Sequence, residues 1–210
     1  MTRAAQGSGA GALVWLLAVL LPAGATAQAT CPVAADLARG IIITFEDRAI
    51  TYQARSPDRV ELRVATHDGL LTGTSELAFG LLPLRTRATF ADPAIPPQDT
   101  VMTYGATDLA TLLPPAAGRS FAVAGRLQDT AAGASEEVVI TVTAGETAQV
   151  TIGDCTLAVL PLSVQHDRPG HSYRAETMYL PELGLSFVAR YLFDDLPDGV
   201  LTPVAIAPAP

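Results

Sequence analysis

The sequence predicts a mainly β protein: an antiparallel curved sheet arranged as a half-barrel, a barrel or a two-layer sandwich, with one or two short helices. Three observations carry this expectation. From residue 41 onward, apolar and polar residues alternate with a period of two in segment after segment, the pattern of half-buried strands. Turn-forming pairs such as Asp68-Gly69 and Gly153-Asp154 recur between those segments. The segments amount to about ten strands, and a sheet of that many strands curls or splits into packed layers.

The elements follow in order. Arg3, the apolar run Ala10 to Leu21, the breaker Pro22 and the small-x-small triplet Ala25-Thr26-Ala27 are the parts of a secretory signal peptide. Cleavage is expected between Ala27 and Gln28. The run is shorter than the ~20 apolar residues of a transmembrane span, and no later stretch is long and apolar enough to be one. The mature chain then holds a single β-rich domain over residues 28–204, with a tail at 205–210 expected to fray.

Pro32 and Gly40 bracket a short helix in PVAADLARG. Ile41, Ile43 and Phe45 then alternate with Ile42, Thr44 and Glu46. Ile50, Tyr52 and Ala54 form the next set, and Val60, Leu62 and Val64 the third. With EDR, SPD and HDG between them, these make a meander of adjacent strands. Residues 70–90 could hold a short helix or two strands broken by Gly80 and Pro83; the end of the stretch, 81–90, fits a strand, with Pro83 at its start or on an edge. ADPAIPPQD at 91–99 is a Pro-rich, extended connection between two halves. VMTYG fits a short strand, and TDLATLL one or two helical turns capped by Thr107 or Asp108. RSFAVAGRL, the segment around Val138, Ile140 and Val142, AQVTI and CTLAVLPLSVQ are strand-like. HDRPGH is expected to be a loop. YRAETMYL and GLSFVARYLF flank a turn at Pro181–Gly184, and VLTPVAI is a last strand.

Cys31 and Cys155 are the only cysteines. In an exported chain they are expected to form a disulfide, because the compartment outside the cytoplasm is oxidising. The bond would tie the mature N-terminus to a late strand. The formal net charge of −8 becomes −9 once Arg3 leaves with the signal. An acidic chain without basic clusters argues against nucleic acid and anionic membrane surfaces as partners. There is no lysine, which removes Schiff-base and P-loop chemistry. There is no asparagine, and so no N-glycosylation acceptor.

Few constellations point to chemistry. His166, Asp167 and His171 fall short of a metal-ligand set, and no metal or other cofactor is expected. Gly73-Thr74-Ser75-Glu76-Leu77 lacks the second glycine of a nucleophile elbow, so no catalytic residue is assigned. The doublets Glu136-Glu137 and Asp194-Asp195 place neighbours on opposite strand faces, which does not make an acid/base pair. Arg85 and Arg87 share one face and could hold an anion, though a solvated face is the simpler expectation. MYLPELGLSFVARYLF is apolar on both strand faces, as in a central sandwich strand or a strand lining a cavity. It yields a candidate ligand cleft formed by Leu157, Val159, Tyr179, Leu185, Phe187 and Tyr191.

The signal segment, CPVAADLARGI, the GDC triplet and YLPELGLSF together resemble a group of exported alphaproteobacterial proteins without an assigned activity. YLPELGL is also similar to stretches in periplasmic half-barrels that handle lipids or lipoproteins. The expected signal and disulfide point to a periplasmic or secreted location. The expected function is a non-enzymatic β-domain that binds an apolar or amphipathic ligand, or an envelope protein. Two alternatives remain: an envelope hydrolase with a site built from His67, His166 and His171, and a structural or interaction protein without a pocket.

Overall fold

The computed structural model describes residues 30–105, 108–193 and 198–210. The expected signal and its Ala27–Gln28 cleavage site lie outside the described residues, as do Asp194 and Asp195. Among the described residues, fourteen strands form one antiparallel, curved sheet. The first six are β1 (Ile41–Phe45), β2 (Arg48–Ser56), β3 (Arg59–Thr66), β4 (Leu71–Ala78), β5 (Leu82–Phe90) and β6 (Gln98–Tyr104). They are followed by β7 (Ser120–Asp129), β8 (Ser135–Ala144), β9 (Ala148–Ile152), β10 (Cys155–Arg168), β11 (His171–Leu180) and β12 (Leu185–Phe193). Two short strands, β13 (Gly199–Val200) and β14 (Pro203–Pro208), end the chain. The expected short helices are 3-10 turns at Ala34–Ala38 and Leu109–Thr111. Asp108 caps the second by accepting from the Ala110 amide at 3.0 Å.

The strand order is β13-β12-β11-β10-β8-β7-β6-β5-β4-β3-β2-β1-β14, so nearly every strand pairs with its sequence neighbour. The period-two pattern sets the faces. Ile41 lies opposite Tyr52 and Ile43 opposite Ile50. Tyr52 in turn lies opposite Leu62, and Ile50 opposite Val64. One slip of register would turn this whole apolar ladder outward, which is why the pairing is well specified. Residues 70–80, open to helix or strand from sequence, form β4 and a tight turn. Proline-rich 91–99 does not separate the pairing of the two halves: β5 and β6 pair across it, with Arg85 opposite Val101 and Ala88 opposite Gln98.

The sheet folds back on itself. Phe45 of β1 meets Phe187 of β12 edge-on, with ring centroids 6.1 Å apart. The β4–β5 turn touches the β11–β12 turn, where Ser186 Oγ donates to the Gly80 carbonyl at 2.7 Å. Gly80 is required at this contact: its φ is +67°, and a Cβ there would lie 2.2 Å from the Gly184 carbonyl oxygen. This apposition draws together the end of the sheet that carries the 57–58, 79–81 and 181–184 turns. The other end carries the turns near residues 46, 68, 132 and 169.

β8 and β9 behave as one long strand interrupted at 145–147, and both pair with β10. The outer part of this hairpin, β9 with residues 155–159, bends over β1 and β14. Along β10 the buried set therefore changes phase. Cys155, Leu157 and Val159 pack in a first cluster with Ile41, Ile43 and Ile206, whereas Leu160, Leu162 and Val164 pack in a second with Val138 and Ile140. Cys31 and Cys155 form the expected disulfide, with Cα atoms 5.5 Å apart and a separation of 124 in the chain. Cys155 follows the Gly153-Asp154 turn, so the bond fastens the tip of the hairpin to the segment before the first 3-10 turn.

Two sequence expectations need correction. HDRPGH is not a loop: β10 runs through Arg168, and only Pro169-Gly170 turns the chain, with Arg168 opposite His171. Gly170 supplies the positive φ of +74° that so short a turn needs. The tail from Ala205 does not fray; it is part of β14, with Ile43 opposite Ile206 and Ile41 opposite Pro208. Ile206 is buried in the first cluster. Ala209 donates to the Gly40 carbonyl at 2.8 Å, so the missing N–H of the adjacent Pro208 falls on the side away from β1, where a strand tolerates proline.

Candidate functional site

Between the two clusters, β2–β5 on one side and β10–β12 on the other enclose a cavity of about 430 Å³. Its wall is mostly apolar, with Ile50, Leu62, Val64, Leu77, Val164 and Phe187 among the lining residues. Each comes from the inward set of its strand. The size is in the range of small-molecule sites, which are apolar with a few placed polar groups.

The polar groups are unequal. Ser75 and Thr86 satisfy one another across β4 and β5 at 3.1 Å, and Ser186 is bonded to Gly80. Tyr52 is fully buried, and its hydroxyl has no hydrogen-bond partner among the described residues. Burial raises its pKa far above the usual phenol range, so the group is a neutral donor and acceptor. Arg48 lies two positions before Ile50 on the same face and also lines the cavity. Its guanidinium is held by Asp47, with Nη2 to Oδ2 at 2.5 Å. That bond lowers the Asp47 pKa.

An aromatic group stands toward the end of the sheet that carries the Pro169-Gly170 turn. His166 stacks on Tyr173 at 4.4 Å with 6° between the ring planes. Tyr173 neighbours Phe193 at 5.7 Å, and Phe193 stacks on Tyr191 at 6.0 Å. Arg168 sits 5.9 Å from the Tyr173 centroid and donates to Glu136 Oε1 at 3.1 Å. Burial, reinforced by the Arg168 charge, lowers the His166 pKa to about 4. At neutral pH the imidazole is therefore uncharged.

The predicted cleft residues separate. Phe187 and Tyr191 line the cavity. Leu157 and Val159, on the over-folded part of the hairpin, and Leu185 are buried in the first cluster. Tyr179 packs in the second cluster and borders a different groove beside the β11–β12 turn. Of the three histidines, His166 alone lines the cavity. His67 stays at the β3–β4 turn, with Nδ1 3.0 Å from the Glu46 carbonyl oxygen, and His171 is exposed at the β10–β11 turn. Among the described residues, no group of three or more His, Cys, Asp and Glu side chains is placed to hold a metal ion. Glu136 and Glu137 face opposite sides, toward Arg168 and Arg126 respectively. Arg85 and Arg87 both turn to Asp99, at 2.6 and 3.5 Å.

Sequence reasoning missed Tyr52 and Arg48 as site residues. The available signal was their parity with Ile50, which puts a phenol and a guanidinium on an otherwise apolar face. Comparison with family models, curated proteins and solved structures finds no match for the chain. No helix among the described residues is long and apolar enough to cross a membrane.

Proposed function

We propose that this chain is an exported, non-enzymatic binding domain that holds a small apolar or amphipathic molecule on the inner side of its folded sheet. The observation that carries the proposal is the apolar cavity with fully buried Tyr52 among its lining residues and, among the described residues, no partner for the Tyr52 hydroxyl. A buried polar group without a partner is costly and uncommon in folded proteins. A bound molecule with one hydrogen-bonding atom would satisfy it while its apolar part covers Leu62, Val64 and Phe187. The Cys31–Cys155 disulfide supports a location outside the cytoplasm, in the periplasm or beyond.

The test is titration with N-phenyl-1-naphthylamine, an apolar probe that brightens when it leaves water. Saturable binding to the native chain is expected. Ala175→Leu projects into the cavity and should weaken binding by about tenfold, while unfolding stays cooperative. Absence of saturable binding, or an unchanged affinity in a folded Ala175→Leu variant, would overturn the proposal.

A further inference from the structure

A second space lies on the other side of the aromatic group. Pro83, Thr86, His166 and Tyr173 border it as well as the cavity; it measures about 630 Å³, between β5–β8 and β10–β11. Its character differs. Gln98, Thr100, Asp129, Ser135, Glu136 and Arg168 line it, beside Met102 and Leu127. The parity of β10 explains the juxtaposition: Val164, His166 and Arg168 lie on one face in succession, running from apolar to charged. The inner side of the sheet thus presents an apolar chamber beside a polar annex, with four lining residues in common.

Every guanidinium that lines either space already faces a carboxylate. Arg48 pairs with Asp47, Arg85 with Asp99 and Arg168 with Glu136. Asp129 Oδ1 accepts from the amides of Ala131 and Ala132, at 2.9 Å each. An incoming anion would meet no uncompensated cation among the described residues, and an incoming cation would have to compete with arginine. Desolvating a charge without a partner is strongly unfavourable. Hydrogen-bonding capacity is nevertheless present: the Gln98 amide, the Thr100 and Ser135 hydroxyls and the Glu136 carboxylate line the annex. The buried Arg168 Nε has no partner among the described residues.

We propose that the annex seats the uncharged, hydroxyl-bearing head of the same molecule whose apolar part fills the chamber. A sugar or other polyol head has the required chemistry, since each hydroxyl both donates and accepts. This assignment rests on the ligand-binding reading of the chamber.

The experiment displaces bound N-phenyl-1-naphthylamine with three decyl compounds, all below their micelle-forming concentrations: decyl glucoside, decyl sulfate and decyltrimethylammonium. On the native chain, decyl glucoside should displace the probe at about tenfold lower concentration than either charged compound. Glu136→Gln exposes the Arg168 charge and should shift the preference toward decyl sulfate by about tenfold. A native preference for a charged head, equal displacement by all three, or an unchanged preference in Glu136→Gln would overturn the headgroup assignment while leaving the chamber intact. Failure of the probe itself to bind would remove the chamber reading and this assignment with it.

Discussion

Tyr52→Phe removes one buried oxygen atom beside the cavity and leaves the ring in place. The residue is fully buried, and the hydroxyl has no partner among the described residues. A buried hydroxyl left unsatisfied costs about 1–3 kcal/mol, because the water it had in the unfolded chain is not replaced. Deleting it should therefore stabilise the empty protein, against the usual direction for a core substitution. For a domain of this size, a gain of about 1 kcal/mol raises Tm by roughly 2–4 °C. Thermal and urea unfolding followed by far-ultraviolet circular dichroism measure the change; the only tryptophan, Trp15, lies in the expected signal and offers no core reporter. If Tyr52→Phe instead loses 1 kcal/mol or more, the hydroxyl has a partner in the empty protein, and the main polar argument for a ligand fails.

Three further outcomes follow from the same geometry. Replacing Cys31 and Cys155 by serine should cost about 5 kcal/mol, from the chain-entropy relation for a 124-residue separation; a shift in urea midpoint worth less than about 1 kcal/mol would mean that apolar packing alone holds the hairpin tip. Burial sets the His166 pKa near 4, against 6.5 in the open chain. Between those values the unfolded chain takes up a proton that the folded chain refuses. Stability should thus be full above that window and fall by up to about 1.4 kcal/mol per unit as the pH drops through it; His166→Gln should flatten the slope, and an unchanged slope would place its origin elsewhere. Gly80→Ala adds a Cβ 2.2 Å from the Gly184 carbonyl, whereas Gly184→Ala meets nothing within 4 Å and bears only the strain of φ +67°. The second should cost about 1 kcal/mol and the first a further 1–3, and equal losses would show that the two turns do not touch.

The sequence by itself determined the strands and their faces. In β1, β2 and β3 the alternation at Ile41, Ile43, Phe45, Ile50, Tyr52 and Val60 is local, and period two is a property of the extended backbone. The disulfide was legible too, because two cysteines in a chain with an expected export signal leave one pairing. The C-terminal strand was not. Ala205 to Pro210 has weak strand preference, and it is ordered by the unpaired edge of β1 and the space that Ile206 fills. Nor was the phase change of β10 legible between Val159 and Leu160, since two adjacent buried residues make sense only when a second layer covers the other face. The cavity belongs to the same class. Tyr52 and Phe187 are more than a hundred residues apart, and each looks like ordinary core in its own strand. They line one cavity because Gly80 and Gly184 let two turns meet, an effect of long-range packing that no local pattern encodes.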